Sequence, residues 1–466
     1  MKLEPALQYL EDRFPSFTQE LIDYARISSV SFEGFPEGPL LKSAEWTAQK
    51  MRAIGLENVE ILTIPGCHPY VYGEWLKASG KPTLLLYGHH DVQPPGRDDH
   101  WKTPAFEPSL KNDGRLYGRG VADDKAGVLM HLAALEALLK TEKGLPLNVR
   151  FIVEGEEEIG SGHLGEFLKK YREKLKSDAI VLTDTGNLEE GLPSITYRLR
   201  GLVDATVEVR ALDHPVHSGM WGGPVMDALT ALTQILSRLV TPEGRIAIPG
   251  FEEGIEPLDE HEKKLLSSLP FRETQFRKDV GAVSSLKLAG GEDFSVYEKI
   301  WCRPALAILG IDAPSVEKTS NQIVEGARAK VSIRIVSGQD PQKCQKKLCD
   351  FLAKDPPFGV EVKVKPGVAN PAWKIDPKGK AFEATARALE KGFGKPAAFI
   401  GCGGSIPFVK PISEVFGGIP ALLVGIEDPA CNAHGENESL SLSDWKKGMK
   451  SAVYLYEELA KVLTAR

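Results

Sequence analysis

The hydrophobic pattern of the first part of the chain alternates between helical and extended segments. Apolar residues at helical spacing predict three helices, over residues 4–27, 40–55 and 125–140. The third helix carries an apolar stripe made of Val128, Leu129, Leu132, Leu135 and Leu138. Continuous apolar runs predict buried strands over residues 83–87, 147–153 and 179–182. Strands and helices in this order indicate an α/β layer with helices on the faces of a mixed or parallel sheet.

The pattern changes near residue 197. Strict alternation of apolar and polar residues predicts strands with one solvated face over residues 205–210 and 330–336, and a helix is predicted over 225–239. Beyond residue 366 continuous apolar runs, typical of strands buried on both faces, appear again. They predict strands over residues 397–400 and 421–424, and a closing helix is predicted over 443–463. We therefore expect one α/β domain with a mixed sheet and helices on both faces, formed by residues 1–197 and 370–466. An α+β domain, residues 198–369, interrupts it.

Composition narrows the class of protein. The chain has 466 residues, of which 42% are hydrophobic and 26% charged, as in globular proteins of more than one domain. A net charge of −7 provides no basic field for nucleic acid or an anionic membrane, so neither is an expected partner. The six cysteines form no CxxC pair, the first residues contain no apolar signal core, and no run reaches membrane-spanning length. These features predict a cytoplasmic protein with free thiols.

Five short segments contain residues that commonly bind metals. They are residues 88–91, 122–125, 156–158, 182–184 and 433–435. The first four each follow a short apolar, strand-like run, so their polar side chains fall where strands end. All the donors are imidazoles or carboxylates and none is a thiolate, which selects hard or borderline cations such as Zn²⁺ or Mn²⁺. The set as a whole predicts a two-metal hydrolase.

Local geometry suggests which residues of the first two segments could bind a metal and which could have a structural role. Side chains two apart on a strand share a face, so His89 and Asp91 point together, as a metal ligand and the carboxylate that orients it would. A buried His–Asp pair without a metal fits the same spacing. Asp124, directly before a helix, has the position of an N-cap, whereas Asp123 could bridge two cations.

The acidic run from Glu154 to Glu158 leaves two interpretations open. Such a run is usually a solvated loop. Adjacent carboxylates at a strand end can also share a reaction, one binding metal and one taking a proton from water. Asp184 and His434 are each weak signals, because single residues of these types are common at strand ends and in loops.

These segments resemble the co-catalytic two-metal aminoacylase/carboxypeptidase family. It includes carnosinases, cytosolic nonspecific dipeptidases, succinyl-diaminopimelate desuccinylases and acetylornithine deacetylases. Residues 88–94 match G-H-x-D-V-x-P, residues 154–161 match E-G-x-E-E-x-G-S, and residues 118–127 match G-R-G-x-x-D-D-K-G, except that Ala126 precedes the last glycine. The similarity extends over nearly the whole chain and is greatest to the dipeptidase branch.

The resemblance assigns roles to the residues of these motifs. It implies two divalent metal ions per subunit, with Zn²⁺ as the expected metal and Mn²⁺ or Co²⁺ as alternatives. It implies metal binding by His89, Asp123, Glu158, Asp184 and His434, with Asp123 as the bridge. Asp91 would orient His89, and Glu157 would be the general base that activates a water bridging the metals. The inserted domain would be a lid that also forms a homodimer.

The resemblance extends to four further residues. His217 of the H-S-G segment 217–219 would reach the partner subunit's active site and stabilise the oxyanion, although a histidine that caps the following helix fits as well. Arg334 would bind the C-terminal carboxylate of the substrate, where an exposed strand arginine is the ordinary interpretation. Asn321 matches a position that is usually threonine, and Ser405 belongs to a G-G-S-I-P loop that contacts substrate.

The chain also departs from the family pattern near the substrate. Gly401 and Cys402 stand where relatives often have Arg-Glu, and residues 321–324 read N-Q-I-V in place of T-x-I-P. Both changes bear on side-chain preference rather than on the metals. The sequence thus predicts a peptidase for dipeptides or short peptides with a free C-terminal carboxylate, and an N-acyl amino acid deacylase with the same site is the alternative.

Three other functions fit the sequence less well. A cysteine hydrolase using Cys402 would leave the metal-type segments unexplained and has no evident histidine base. A non-catalytic binding protein of the same fold would be expected to lack Glu157, which is present. A phosphate-binding loop over residues 401–404 lacks the lysine and the glycine spacing of known phosphate loops.

Overall fold

The computed structural model describes residues 2–404, 406 and 408–465. Over these residues the helices are α1 (Glu4–Ala25), α2 (Gly38–Ile54), α3 (Lys125–Thr141), α4 (Leu164–Leu175), α5 (Ser218–Trp221), α6 (Ala228–Ser237), α7 (Glu260–Ser267), α8 (Glu273–Asp279), α9 (Val296–Trp301), α10 (Pro341–Ala353), α11 (Lys380–Phe393), α12 (Val409–Val415) and α13 (Leu442–Val462). Short 3₁₀ turns cover Asp98–His100, Glu157–Ile159, Val316–Lys318 and Pro357–Gly359.

The strands fall into a large and several smaller sheets. Their bounds are β1 (Glu57–Leu62), β2 (Tyr70–Trp75), β3 (Thr83–His89), β4 (Ser109–Leu110), β5 (Arg115–Tyr117), β6 (Asn148–Glu154), β7 (Ala179–Leu182), β8 (Ser194–Leu199), β9 (Gly201–Arg210), β10 (Val216–His217), β11 (Ala305–Asp312), β12 (Gln322–Ile323), β13 (Gly326–Ile335), β14 (Glu361–Asn370), β15 (Trp373–Lys374), β16 (Ala398–Cys402), β17 (Ala421–Val424) and β18 (Ser439–Ser441).

The large sheet is mixed and has nine strands. Its order is β1-β2-β6-β3-β7-β17-β8-β15, and β16 pairs with β8. Strands β6, β3, β7 and β17 run parallel to their neighbours in this central part. The apolar runs predicted as doubly buried strands are these central strands. Residues 84–89 of β3, for example, are all buried.

Helices cover both faces of the large sheet. On one face α1, α2, α3, α11 and α13 enclose the largest hydrophobic cluster, with Trp445 and Leu132 fully buried in it. On the other face α4 and α12 pack Phe167 and Ile412 against the sheet. The predicted fold class, a mixed-sheet α/β domain with helices on both faces and an inserted α+β unit, is confirmed.

Helix α3 differs from its sequence pattern in one respect. The pattern indicated a single apolar stripe, but every residue from Lys125 to Leu138 is buried. Helices α1, α2 and α13 all contact α3 while strand β3 lies beneath it, so no face remains for water. The amino group of Lys125 is buried and donates hydrogen bonds to the carbonyls of Tyr24 (3.1 Å) and Ile27 (2.6 Å).

The inserted unit is built on a second, antiparallel sheet. Its order is β11-β13-β9-β14, and α6 and α10 cover one face. The chain leaves the large sheet after β8 and returns to it through β15. The outgoing and returning segments approach each other closely at Gly201, where an added Cβ would lie 2.4 Å from the carbonyl oxygen of Asn370. Helices α7 and α9 of the insert contact β16, so the insert also packs on the large sheet. Domain limits at residues 197 and 369 stay predictions.

Candidate metal centre and active site

Parallel strands bring the predicted ligands to one edge of the large sheet. His89 is the last residue of β3, Glu157 and Glu158 form a 3₁₀ turn directly after β6, and Asp184 follows β7 by two residues. His434 lies in the loop after β17, the fourth of these strands. Because the carboxyl ends of parallel strands meet at one edge of a sheet, residues distant in sequence become neighbours there.

Two groups of metal-type ligands share a single residue, Asp123. His89, Asp123 and Asp184 form one group, and Asp123, Glu158 and His434 form the other. One oxygen of Asp123 lies 3.0 Å from Nε2 of His89, and the second lies 3.0 Å from Nε2 of His434. Nε2 of His89 is 3.7 Å from Oδ1 of Asp184, and Nε2 of His434 is 3.3 Å from Oε2 of Glu158. This is the arrangement of a carboxylate that bridges two cations.

The His434 backbone adopts a conformation that histidine rarely takes. Its φ angle is +63°, in the left-handed region. The side chain is 59% exposed, whereas that of Asp123 is 9% exposed, so His434 covers the centre from the solvent side. The hydrogen bond with Asp123 raises the pKa of His434 to about 9 when no cation is bound.

Asp91 connects His89 with the turn that carries Glu157. Its Oδ1 lies 3.4 Å from Nδ1 of His89 and accepts a hydrogen bond from the backbone N–H of Glu157 (3.2 Å). Its Oδ2 accepts from the backbone N–H of Glu158 (3.0 Å) and from the hydroxyl of Ser31 (2.7 Å). Burial alone would raise the pKa of Asp91, but His89 and Ser31 lower it, so the carboxyl is held ionised.

The carboxylates of the centre outnumber its two imidazoles, those of His89 and His434, so the side chains of the centre alone leave negative charge unbalanced. Burial raises the pKa of Glu158 to about 8, and burial together with the Asp184 carboxylate raises the pKa of Glu157 well above its ordinary value. Although burial lowers the pKa of His89, hydrogen bonds to Asp123, Asp184 and Asp91 raise it well above its ordinary value. Divalent cations would remove this surplus negative charge, and the oxygen and nitrogen donors fit them.

Asp124 does not cap helix α3, contrary to the ordinary interpretation of an aspartate at that position. Its side chain makes no capping hydrogen bond; Oδ2 instead accepts from the backbone N–H of His89 at 3.2 Å. Oδ1 is buried without a hydrogen-bond partner. The peptide bond between Asp123 and Asp124 is cis.

Two residues that sequence reasoning missed hold the ligands in place. The fully buried Glu438 accepts hydrogen bonds from the backbone N–H groups of Gly120, Ala122 and Asp123 and from the guanidinium of Arg119. Gln93 donates to both oxygens of Glu158, through its backbone N–H (3.1 Å) and its amide (2.7 Å). The only sequence signal for either was its closeness to a ligand, Glu438 four residues after His434 and Gln93 two after Asp91.

Arg334 lies beside the glycine loop at the end of β16. Burial lowers its pKa, and the neighbouring Arg334 charge together with burial lowers the pKa of Arg200 to about 10. Nε of Arg200 donates to the carbonyl of Gly403 (3.4 Å). Two adjacent arginines without a described carboxylate partner make a site for an anion. Arg200 was not anticipated, and Ser405 lies outside the described residues.

Cys402 lacks the features of a nucleophile. Burial raises the pKa of its thiol to about 11, which disfavours the thiolate that would react. Its Sγ accepts a hydrogen bond from the backbone N–H of Gly404 (3.3 Å), and no described histidine hydrogen-bonds to it.

His217 and Asn321 lie together on the inserted unit. Residues 216–217 pair with residues 322–323 as a two-stranded ribbon, and the backbone N–H of Ser218 donates to the carbonyl of Asn321 (2.9 Å). The exposed His217 caps α5, its Nδ1 accepting from the backbone N–H of Gly219 (3.1 Å). Within the described part of the chain, neither residue hydrogen-bonds to a residue of the metal centre.

A cavity of about 350 Å³ opens beside the centre, between the large sheet and the helices of the insert. One wall begins at Gly186, two residues beyond Asp184, and another is the segment 400–403 at the end of β16. The remaining wall combines four aromatic rings with the polar side chains of the same segment; the rings are those of Phe271, Phe276, Tyr297 and Trp301, and the polar residues are Arg272, Gln275 and Asp279. Tyr297 and Trp301 stack at 4.8 Å between ring centroids. The cavity is apolar enough to receive a side chain of a bound substrate.

Comparisons with known proteins find relatives that match nearly the whole chain. The model of "Peptidase family M20/M25/M40" matches residues 85–458. A cysteinylglycine-S-conjugate dipeptidase of Corynebacterium striatum is 31% identical over 401 residues, 86% of each chain. The Cys-Gly metallodipeptidase dug1 of Schizosaccharomyces pombe is 28% identical over 487 residues, 99% of each chain. The crystal structure of human carnosine dipeptidase 1 superposes with a TM-score of 0.86 at 27% identity, covering 99% of this chain and 100% of that one.

Proposed function

Because this chain belongs to peptidase family M20/M25/M40 and is a hydrolase of metallopeptidase type, we propose that it cleaves dipeptides or short peptides with a free C-terminal carboxylate. The observation that carries the proposal is Asp123, whose two oxygens face two separate ligand groups beside Glu157. The relatives named above are all dipeptidases, so N-acyl amino acid deacylation is not favoured.

Two divalent cations per subunit fit the two ligand groups. His89, Asp123 and Asp184 would hold one, and Asp123, Glu158 and His434 the other. Imidazole and carboxylate donors favour Zn²⁺, and they also accept Mn²⁺ or Co²⁺. When bound, such cations polarise the scissile carbonyl and make water a stronger acid.

Glu157 acts as the general base in this proposal. Its carboxylate takes a proton from the attacking water and later delivers that proton to the amine that leaves. The environment supports a shuttle of this kind, because burial and Asp184 raise the pKa of Glu157. Asp91 fixes the position of Glu157 through the backbone hydrogen bond. It would also orient His89, whose Nδ1 lies 3.0 Å from the backbone carbonyl of Asp91 and 3.4 Å from Oδ1.

The substrate would be held by its free carboxylate. Arg334, with Arg200 beside it, offers guanidinium groups at the Gly403 loop, and Ser405 of the same loop would add a further contact. Asn321 would contact substrate from the inserted unit together with His217. A terminal carboxylate bound by the arginines would fix its distance to the scissile bond and so direct cleavage to the last peptide bond.

We also propose a homodimer formed by the inserted unit. Strand β11 is an edge strand whose residues are almost all exposed, including Ile308, Leu309 and Ile311. An exposed apolar edge strand is normally covered in the functional assembly. A partner that pairs there could bring its own His217 to this active site, which would give a role to a histidine that hydrogen-bonds to no described residue of the metal centre in its own chain.

The cytoplasm is the proposed compartment. The six cysteines, Cys67, Cys302, Cys344, Cys349, Cys402 and Cys431, are all free thiols. Free thiols persist in a reducing compartment. No described helix is long and apolar enough to span a bilayer.

Metal removal and reloading test the proposed reaction. The protein is stripped with a chelator, reloaded with Zn²⁺, Mn²⁺ or Co²⁺, and assayed on unblocked dipeptides and on N-acetyl and N-succinyl amino acids. We expect restored cleavage of dipeptides. Preferential cleavage of the acylated substrates would instead favour a deacylase, and activity that is indifferent to metal would contradict the proposal.

Glu157→Ala tests the role of the base separately from metal binding. Turnover should fall by at least about 10³-fold, while the metal content stays near two per subunit, because Glu157 belongs to neither ligand group. Ile159→Ala, an exposed position in the same turn, is the matched control and should keep its activity. Full activity of Glu157→Ala would overturn the assignment.

A further inference from the structure

A third cluster of metal-type ligands lies outside the metal centre. Ligand atoms of Cys67, Glu156 and His163 all lie within 4.8 Å of one another. None of the three belongs to either group around Asp123, and the sequence motifs gave them no role. The cluster joins three separate parts of the chain, the loop between β1 and β2, the end of β6 and the start of α4.

The three side chains are already held in place. Oε2 of Glu156 lies 2.9 Å from Nδ1 of His163, and Oε1 accepts from the backbone N–H of His163 (3.0 Å). The backbone N–H of Cys67 donates to the carbonyl of Ile64, and its thiol donates to the carbonyl of His68 (both 3.1 Å). A ligand arriving here would meet a preformed site.

The carboxylate of Glu156 has no lysine or arginine partner in the described part of the chain. It is completely buried, and its nearest basic side chain is the imidazole of His163. The Tyr70 hydroxyl adds only a contact of 3.5 Å. A buried carboxylate is normally paired or bound to a metal. The imidazole of His163 is 39% exposed and provides access from solvent.

We propose that Cys67, Glu156 and His163 form a third cation site, of zinc type, distinct from the catalytic pair. Sulfur, imidazole and carboxylate donors together select Zn²⁺, Co²⁺ or Cd²⁺ over Mg²⁺ or Ca²⁺. Three protein ligands leave one tetrahedral position for water. Binding releases the proton of the Cys67 thiol to solvent as the metal–sulfur bond forms.

The position of the site gives it a structural consequence. Glu156 and His163 stand at the two ends of the segment that carries Glu157 and Glu158. The backbone already closes this segment, since Ser161 N–H donates to the carbonyl of Glu156 (3.0 Å). A cation held by both ends and by Cys67 would tie the turn to the β1–β2 loop and so restrain the general base and a metal ligand together.

Cobalt distinguishes this site from the catalytic pair. The ligands around Asp123 include no sulfur, so a thiolate-to-cobalt charge-transfer band in the near ultraviolet can report only a cysteine site. We expect apoprotein titrated with Co²⁺ to bind three equivalents and to develop this band. Elemental analysis after gel filtration should give three metals per chain.

Variants assign the band to its ligands. Cys67→Ser should abolish it and reduce the metal content to two. His163→Gln should weaken cobalt binding at this site by more than about 100-fold, since even indirect partners of metal ligands typically contribute about 10–100-fold. Cys349→Ser, which removes a half-buried thiol on α10 outside every ligand cluster of the described residues, should leave the band unchanged.

Two outcomes would overturn the proposal. One is the absence of the charge-transfer band at saturating Co²⁺. The other is a band and a third metal that persist in Cys67→Ser. Circular dichroism and retention of two metals confirm that the variants are folded, so neither outcome can be ascribed to misfolding. Because the readout is spectroscopic, failure here would leave the proposed peptidase activity intact.

Discussion

The carboxylate of Glu438 accepts a 3.1 Å hydrogen bond from the backbone N–H of Asp123. The same carboxylate accepts from Gly120, Ala122 and the buried guanidinium of Arg119, at 2.8–3.1 Å. Glu438 follows His434 by four residues, so it fastens the loop of one ligand to the turn that presents the bridging ligand. Burial raises the pKa of Glu438, and the N–H groups and the Arg119 charge act in the opposite direction.

Glu438→Gln should loosen the metal centre without touching a ligand. Glutamine places an amide N–H₂ where an oxygen now accepts two hydrogen bonds, and it removes the charge that pairs with Arg119. We expect metal affinity to fall by about 10–100-fold, as for other residues that hold metal ligands. Competition with a chelator measures this affinity. Glu436→Gln is the matched control, because its carboxylate pairs with the exposed Arg97; an equal loss in that variant would contradict the role of Glu438.

His217 should act on the active site of the partner subunit. If it does, Glu157→Ala and His217→Ala homodimers are both inactive, but a mixed dimer has one site with an intact Glu157 and an intact partner His217. Mixing the two variants should therefore restore up to about a quarter of wild-type activity, the statistical limit when half the dimers are mixed and each has one good site. Absence of recovery, once subunit exchange is verified by mass, would argue against action in trans.

The aromatic cavity should determine side-chain preference. Phe276→Ala would enlarge the cavity and remove contacts with a bulky apolar side chain. We expect the ratio of kcat/KM values for a phenylalanine-containing dipeptide over Ala-Ala to fall by about 10-fold, which corresponds to roughly 1.4 kcal/mol of lost apolar contact. Phe358→Ala, at a phenylalanine that is 64% exposed, should leave the ratio unchanged. A ratio unaltered by Phe276→Ala would exclude the cavity as the specificity pocket.

Glu458 should make stability dependent on pH in the acid range. Burial would raise its pKa, but hydrogen bonds from Lys391 (2.8 Å), Arg387 (3.1 Å) and Lys461 (3.2 Å) lower it from 4.5 to about 2. A carboxyl with a depressed pKa stabilises the fold above its unfolded pKa. That stabilisation is lost as the pH falls from 4.5 to 2.

Denaturant unfolding of Glu458→Gln measures this contribution. At pH 7 the variant should be less stable than wild type by about 2 kcal/mol, the scale of hydrogen bonds to a charged group. The difference should shrink as the pH is lowered through the window from 4.5 to 2. Glu457→Gln, whose carboxylate pairs only with Lys461 among the described residues, should show no such convergence. A constant difference for Glu458→Gln at all pH values would contradict the assignment.

Local periodicity was sufficient for the central strands, for several of the helices packed on them and for the fold class, but it did not predict α4, α11 or the strands β1, β2 and β8. The segments predicted over residues 179–182 and 421–424 coincide with β7 and β17, and the helix over 125–140 with α3 to within a residue. Strand alternation also predicted that His89 and Asp91 point to the same side; Nδ1 of His89 lies 3.4 Å from Oδ1 of Asp91, although β3 ends at His89. These features depend on residues near in sequence, for which the side-chain period of a strand or helix is decisive.

Residues distant in sequence required the tertiary structure. Glu438 is a buried carboxylate with four donors, yet in the sequence it is one glutamate in an ordinary acidic stretch. Arg200 came to lie beside Arg334 only because β9, which begins directly after Arg200, pairs with β13 so that Leu202 stands opposite Arg334. The catalytic roles of the predicted ligands, and those of His217, Asn321 and Ser405, stay predictions.

The sequence by itself determined the central strands, the strongly periodic helices and the polar residues that stand where those strands end. The tertiary structure decided which of those ends meet. The order β6-β3-β7-β17 brings Glu158, His89, Asp184 and the His434 loop to one edge, with Asp123 between them. Periodicity is a property of a few consecutive residues, whereas strand order depends on how all the apolar faces of the chain are buried together. Only the strand order brings the two ligand groups to either side of the Asp123 carboxylate.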